Sequence, residues 1–235
     1  MRCERDRTGP GRRGRIWRES RVSDTLRGPA SWISPKVWQF ADASKLPGVS
    51  HLPGWLGQTV LSLVTAFSAP GQRVLLLGSA APAEDSGLSA DPYAALGEAL
   101  WTVMRLGRGV RHVAALNVGG SDREVFDLVI AGVPPFALKT ALDVNLERLL
   151  DRRGTLAVIT CGQSARGLPY GPVAEVVSTV REQGLCWLEH IVVNSGEMPV
   201  QPAGTGLPIR TIHNDVLVFG RPEERAADRS EDSHG

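Results

Sequence analysis

Two prolines and a phenylalanine interrupt a strongly apolar segment near the middle of the chain. Residues 126–132 read Phe-Asp-Leu-Val-Ile-Ala-Gly, and Val133, Pro134, Pro135 and Phe136 follow them. Each proline lacks the backbone N–H that a strand needs in its ladder, so a strand must end here in a rigid turn. In open α/β sheets, ligands bind at the carboxyl ends of strands. The sequence therefore predicts a ligand-facing turn that carries an aromatic ring, Phe136.

Other common catalytic patterns are missing from the sequence. The five histidines do not have the spacing of metal ligands. The three cysteines are too few and too scattered for a disulfide framework or a zinc site. Ser79 lacks the Gly-x-Ser-x-Gly surroundings of a hydrolase nucleophile, and no Gly-x-Gly-x-x-Gly follows a predicted strand. We therefore expect neither a bound metal nor a nicotinamide site.

The charges divide the chain into three parts. Residues 1–30 hold nine arginines and four acidic residues, whereas residues 221–235 hold three basic and five acidic residues. The body between them is close to neutral. We expect a disordered basic arm at 1–33, one folded domain at 34–221 and a disordered acidic tail at 222–235. No apolar run approaches the roughly 18 residues of a membrane span, so a cytoplasmic protein is expected.

The spacing of apolar residues predicts an alternation of helices and strands. Residues repeated on one face predict helices at 53–67, 90–106, 138–154 and 171–183. Continuous apolar runs predict strands at 73–78, 112–117, 126–131, 155–161, 186–193 and 212–219. Asp91 before Pro92 predicts the start of the second helix, and Gly184 the end of the fourth.

This alternation predicts an α/β fold. Buried strands separated by helices are typical of a three-layer, doubly wound sheet that is mostly parallel and covered on both faces. We expect the strands at 73–78, 126–131 and 155–161 to be parallel neighbours. A Gly/Pro-rich stretch at 195–208, without a helix, joins the last two strands. These two strands either pair with each other or place one antiparallel strand in the sheet.

The turn and the order of the elements resemble the class I S-adenosylmethionine-dependent methyltransferases, in particular the branch that methylates exocyclic amines of nucleic-acid bases. The resemblance covers about residues 34–221 and rests on the segments 37–39, 51–53, 74–78, 129–136 and 212–219. It implies a methyltransferase-like Rossmann fold with one antiparallel strand, and S-adenosylmethionine as the cofactor. Only residues 118–125 separate the second and third predicted strands, where the family fits a helix and another strand. We therefore predict that an edge strand is missing.

The resemblance gives the turn a catalytic role. In that family, an aromatic ring at the position of Phe136 stacks on a base that has left the helix. The residue before the prolines, which is Asp, Asn or Ser in the family, accepts the hydrogens of the amine. Here that position is Val133, whose side chain accepts no hydrogen bond. Loss of one such oriented contact costs on the order of 3 kcal/mol in a transition state.

The resemblance also places the cofactor. Gly78, Ser79 and Ala80 lie where the family has its cofactor loop, and Asn117 lies where a carboxylate usually holds the ribose. Leu76 takes the position of an acidic residue, and Ala80 that of a glycine that lets the backbone approach the ligand. We therefore predict that S-adenosylmethionine binds weakly or not at all.

Two interpretations of the function remain open at this point. The first is a methyltransferase-like protein, related to nucleic-acid amino-methyltransferases, whose catalytic motifs are degraded. The alternative is a non-catalytic pseudoenzyme that serves as a binding or regulatory module. In either case, the arginines of the basic arm are candidates for contact with the phosphates of a nucleic acid.

Overall fold

The computed structural model describes residues 34–40, 51–79, 91–113, 124–134, 142, 145–165, 168–170, 172–194, 200–201 and 209–222. For residues 162–165, 168–170, 200–201 and 209–212, only the backbone is described. The predicted basic arm at 1–33, residues 223–235 of the predicted tail, and the candidate site residues Ala80, Asn117, Pro135 and Phe136 lie outside the described residues.

Four α-helices and nine strands are found in this part of the chain. The helices are α1 (Gly54–Phe67), α2 (Leu100–Arg105), α3 (Leu146–Leu149) and α4 (Val173–Glu182), and a 3-10 helix at Pro92–Ala99 precedes α2. The strands are β1 (Lys36–Gln39), β2 (Arg73–Leu77), β3 (Gly109–Val113), β4 (Phe126–Gly132), β5 (Leu150–Ala165), β6 (Leu168–Tyr170), β7 (Cys186–Asn194), β8 (Val200–Gln201) and β9 (Ile209–Gly220).

All nine strands belong to one sheet, whose main path is β1-β7-β9-β5-β4-β2-β3. Four neighbouring pairs on this path are parallel, namely β1 with β7, β2 with β3, β2 with β4, and β4 with β5. Strand β9 runs antiparallel to both of its neighbours, β5 and β7. The predicted parallel neighbours β2, β4 and β5 are therefore confirmed, as is the predicted antiparallel strand.

The sheet is covered on both faces, which confirms the three-layer α/β architecture. One apolar core lies under α1, the 3-10 helix and α2, and the other lies under α3 and α4. We call these the first core and the second core. Because side chains alternate between the faces of a strand, β4 gives Leu128 and Ile130 to the first core and Val129 and Ala131 to the second. Within the described residues, no strand lies beyond β3, in agreement with the predicted loss of an edge strand.

Two of the predicted elements have other boundaries or another helix type in the structure. The second predicted helix, 90–106, is a 3-10 helix followed by the short α2. The strand predicted at 112–117 begins earlier, at Gly109, and within the described residues it extends to Val113. Gly107 turns the chain with φ +77°, and the Gly109 N–H then donates to the Gln72 carbonyl at 2.9 Å, so pairing with β2 begins at once.

The helix predicted at 138–154 also ends earlier than expected. Within its described residues, α3 ends at Leu149, and β5 begins at Leu150, which pairs with Phe126. Gly154, predicted to end a helix, is a strand residue. A Cβ there would lie 2.9 Å from the Phe126 carbonyl oxygen, so only glycine allows β4 and β5 to approach in this way.

Polar contacts hold the amino ends of the central strands. Asp127 accepts hydrogen bonds from the Arg73 N–H at 2.8 Å and from Gln72 Nε2 at 3.0 Å. Glu124 forms ion pairs with both Arg73 and Arg111. These contacts join β2, β3 and β4 at the edge of the sheet opposite the candidate site.

Candidate functional site

The loop after β2 begins with the predicted cofactor residues Gly78 and Ser79. Gly78 donates its N–H to the Val113 carbonyl at 3.0 Å, and the Ser79 hydroxyl hydrogen-bonds to Asp91 Oδ2. The other carboxylate oxygen, Asp91 Oδ1, accepts from the Tyr93 N–H at 2.9 Å and so caps the 3-10 helix. Both carboxylate oxygens of Asp91 therefore already have hydrogen-bond partners within the chain.

Tyr93 packs across the carboxyl ends of β2 and β4. Its side chain is buried, and its ring meets that of Trp55 edge to face, with 6.5 Å between the centroids. A Cβ on Gly132 would lie 2.7 Å from Tyr93 Cβ, and a Cβ on Gly78 would lie 2.9 Å from the Tyr93 carbonyl oxygen. Both strands thus end in a glycine that makes room for the same tyrosine.

The hydroxyl of Tyr93 lies inside the protein. It makes no hydrogen bond of regular geometry to a described residue, but it interacts with the thiol of Cys161. Burial raises the pKa of Tyr93 well above its usual value, and the charges of Cys161, Asp91 and Asp215 and a hydrogen bond with Cys161 add to this effect. The phenol is therefore neutral at physiological pH, and it reaches from the 3-10 helix toward the carboxyl half of β5.

The predicted catalytic turn begins inside the second core. The Val133 side chain is 1% exposed and belongs to that core, and its N–H donates to the Ile159 carbonyl at 2.9 Å. Pro134 is also buried. On the other face of the sheet, Leu76, at the position of the family's acidic residue, lies within the first core. Both departures from the family pattern are thus packed core residues.

A second polar group lies on the α3/α4 face of the sheet. Nε2 of His190, on β7, lies 2.8 Å from Oδ1 of Asp215, on β9. Nε2 of His213 lies 3.1 Å from the other oxygen of Asp215, although that oxygen has no hydrogen bond of regular geometry among the described residues. The side chain of Asp215 is 1% exposed, and those of His190 and His213 are 16% and 35% exposed. One buried carboxylate therefore holds two imidazoles.

The pKa values of this group are coupled. Burial would raise the pKa of Asp215, but the hydrogen bonds and charges of the two histidines outweigh it, so the pKa lies below the usual value. The carboxylate of Asp215 raises the pKa of His213, against a smaller opposing effect of burial. Asp215 is therefore ionised at neutral pH, and His213 is more basic than an ordinary histidine.

This His-Asp-His group lies beside the predicted turn. Gly132 on β4 pairs with Ile159 on β5, and the two strands are parallel, so the next residues, Val133 and Thr160, also lie side by side. On the other side of β5, Thr160 pairs with Asp215 on β9. Thr160 and Asp215 lie on the face of the sheet that carries the second core. Each is two residues from a member of that core on the same strand, Thr160 from Val158 and Asp215 from Leu217. The Thr160 hydroxyl is buried without a partner among the described residues.

Sequence reasoning missed Tyr93, His190 and Asp215 as members of the site. The histidines were considered only for metal spacing, and within the described residues no group of three potential ligands could hold a metal. A usable signal was the pattern His213-x-Asp215 on a predicted strand, because residues two apart share a face. Nothing in the sequence marked His190 or Tyr93 as their neighbours.

Comparison with solved structures finds proteins of similar fold. One is an N-methyltransferase from Bradyrhizobium japonicum in complex with S-adenosyl-L-homocysteine, at 19% identity, covering 71% of this chain and 86% of that one, with a TM-score of 0.41. Another is precorrin-6y C5,15-methyltransferase from Geobacter metallireducens, at 8% identity, with 72% and 88% covered and a TM-score of 0.40. A third is a ribosomal protein L11 methylase from Lactobacillus delbrueckii, at 13% identity, with 71% and 79% covered and a TM-score of 0.38.

At these identities and TM-scores, the similarity carries no argument about this chain. No family model matches the chain, and no curated protein matches it. In the described part of the chain, no helix combines the length and apolar character needed to cross a membrane. The sheet itself shows a three-layer, mostly parallel α/β fold in which β9 is antiparallel to its neighbours.

The described residues do not fit S-adenosylmethionine in the manner that the resemblance implies. Leu76 and Val133 are buried apolar side chains, and Asp91 is engaged with Ser79 and the Tyr93 N–H. The glycines at the ends of β2 and β4 are in close contact with the chain itself. Ala80 and Asn117, the other predicted cofactor residues, lie outside the described residues.

Proposed function

We propose that this chain is a methyltransferase-like protein, related to the nucleic-acid amino-methyltransferases, that no longer methylates amines and acts as a non-catalytic binding or regulatory module. The observation that carries the proposal is the burial of Val133. The position that must accept the hydrogens of an amine holds an aliphatic side chain, 1% exposed, inside the second core.

The surroundings of Val133 support this proposal, in addition to its lack of a hydrogen-bond acceptor. A side chain that orients an amine must face the ligand, whereas Val133 packs in the same core as Leu142 and Val158. Val133 therefore contributes to the stability of the second core. Buried Leu76 supports the same conclusion for the cofactor, since an apolar side chain offers no acceptor to a bound nucleoside or amino acid.

Nucleic acid is the partner that we propose, contacted through the arginines of residues 1–33. The nine arginines in residues 1–30 supply positive charge, whereas residues 31–220 are nearly neutral and residues 221–235 are acidic. Binding by phosphate contacts releases counterions, so the affinity should fall steeply as salt is raised. A chain that starts at Ser34 should lose this binding and keep the fold of the sheet.

Two measurements on purified protein test the proposed function. Calorimetry with S-adenosylmethionine should show binding in the millimolar range or none, because losing two hydrogen bonds of about 1.5–3 kcal/mol each moves a micromolar site that far. A radiolabelled methyl-transfer assay on DNA, RNA and small amines should show no turnover. Robust turnover by the natural sequence that is abolished by Phe136→Ala would overturn the proposal.

A further inference from the structure

We infer that Tyr93 is an internal plug, which occupies the place at the carboxyl ends of β2 and β4 that an adenosine-bearing ligand such as S-adenosylhomocysteine would otherwise take. This inference rests on the proposed function and concerns the same site. It differs from a simple loss of contact groups, because it assigns the exclusion of the ligand to one side chain that can be removed.

The first argument comes from the two terminal glycines. Glycine at the end of a strand is expected where a ligand or another backbone approaches closely. A Cβ at Gly78 would lie 2.9 Å from the backbone carbonyl oxygen of Tyr93, and a Cβ at Gly132 would lie 2.7 Å from both Tyr93 Cβ and Leu96 Cδ1 and 2.8 Å from Tyr93 Cδ1. Real Cβ atoms do not approach other atoms so closely, so Gly78 is needed for the backbone at Tyr93, and Gly132 for the side chains of Tyr93 and Leu96.

The second argument is the position of the ring. Tyr93 extends from the cap at Asp91, touches Gly132 at the end of β4, and lies edge-on to Trp55 at the start of α1. The ring therefore lies between the end of β4 and the first turn of α1, and the backbone of Tyr93 lies against Gly78 after β2. Ligands of open α/β sheets bind at this edge, outside the carboxyl ends of the strands.

The third observation concerns the hydroxyl. The hydroxyl of Tyr93 is buried and makes no hydrogen bond of regular geometry to a described residue, although it interacts with the Cys161 thiol on β5. Phenylalanine would fill the same volume without a buried polar group, so the hydroxyl is not what fills the space at the strand ends. The inference therefore rests on the ring and its contact with Gly132, and the hydroxyl can be removed as a control.

The experiment compares Tyr93→Ala with the matched control Tyr93→Phe, which keeps the ring and removes only the hydroxyl. Calorimetry with S-adenosylhomocysteine measures binding to each full-length protein, without any methyl acceptor. We expect Tyr93→Ala to bind at least tenfold more tightly than Tyr93→Phe and the natural sequence. Equal affinity of the two folded variants would overturn the inference, as would low-micromolar binding by the natural sequence.

Truncation of a buried tyrosine can unfold a protein, so a second variant protects the test. If Tyr93→Ala does not fold, Tyr93→Leu replaces it, because leucine keeps the base of the side chain and vacates the outer part of the ring. Tyr93→Leu should then bind S-adenosylhomocysteine at least tenfold more tightly than Tyr93→Phe, and equal affinity of these two folded variants would overturn the inference.

Different results would refute the inference about Tyr93 and the proposed function. Methyl transfer to an amine by the natural sequence would refute the proposed function. Tight binding of S-adenosylhomocysteine by the natural sequence, without turnover, would refute the plug and leave the loss of amine methylation in place.

Discussion

Nε2 of His190 lies 2.8 Å from Oδ1 of Asp215, and the two residues join β7 to β9 through a carboxylate that is almost completely buried. Burial of an unpaired carboxylate would be costly, so the ionised state of Asp215 depends on its two histidines. The group is therefore a sensitive point for both stability and titration.

Asp215→Asn should lower the pKa of His213 toward 6.5, the ordinary value for histidine. The carboxylate of Asp215 is what raises this pKa, and an amide carries no charge to replace it. An NMR titration of the His213 ring protons in both proteins measures the difference. Thr160→Asn, which adds an amide to the neighbouring residue and keeps the carboxylate, serves as the control and should leave the pKa of His213 raised.

The stabilising effect of Asp215 should depend on pH. The pKa of Asp215 is lowered from 3.8 in the folded state, so its contribution is present above that pH and is lost as the pH falls through the folded value. The pKa of His213 is raised from 6.5, so its contribution is present below 6.5 and is lost as the pH rises through the folded value.

The difference in unfolding free energy between the natural sequence and Asp215→Asn should therefore be largest between about pH 4 and pH 6.5, at roughly 1–3 kcal/mol. Denaturant unfolding at a series of pH values measures it. Burial lowers the pKa of His112 below its usual value, and because His112 is present in both proteins, its effect cancels in this comparison. A difference that stays constant from pH 3 to pH 9 would show that the ionisation of the pair does not matter.

Thr160→Val should be neutral or stabilising. The Thr160 hydroxyl is buried and has no partner among the described residues, so valine removes a polar group that gains nothing from burial. Thermal unfolding should show a midpoint that is unchanged or higher. A loss of about 1 kcal/mol or more would mean that the hydroxyl has a bound partner, such as an ordered water molecule.

Val133→Asn should fail to restore amine methylation and should reduce stability. The substitution places an amide in an apolar core, at a cost of about 1–3 kcal/mol. Leu76 and Tyr93 remain unchanged, and residues that act together in a site are not additive. The methyl-transfer assay and denaturant unfolding measure the two effects, with Val133→Thr as a smaller polar replacement. Activity gained by Val133→Asn alone would show that the cofactor site is intact.

The central sheet could be predicted because its strands are buried on both faces. Continuous apolar runs at β2, β4 and β5 exclude a half-exposed antiparallel arrangement, and the helices between them require parallel crossovers. For the last two strands, the sequence allowed two arrangements: pairing with each other, or one antiparallel strand within the sheet. The structure shows both, since β9 pairs with β7 and also lies antiparallel beside β5.

The site was less accessible to prediction, because contacts between distant segments create it. Gly132 looked like the end of a strand, and only the structure shows that Tyr93 requires it. The prediction that Gly154 ends a helix was wrong for a related reason. A sequence does not distinguish a glycine that ends a helix from one that makes room for a neighbouring strand, as Gly154 does for the Phe126 carbonyl. The sequence shows Val133 as a departure from the family pattern, because Pro134, Pro135 and Phe136 follow it. Its burial could not be predicted, because the residues that cover it come from distant parts of the chain.

The position of β9 in the sheet has a consequence for how the protein is made. Strand β9 follows every other described strand in the sequence, yet it joins β5 to β7 and, through β7, to β1. During synthesis, which proceeds at about 5–20 residues per second, β1 and β7 cannot attach to the other half of the sheet until β9 has left the ribosome. Until then, the edges of β5 and β7 lack the strand that pairs with both, and unpaired strand edges are where other chains can attach and aggregate.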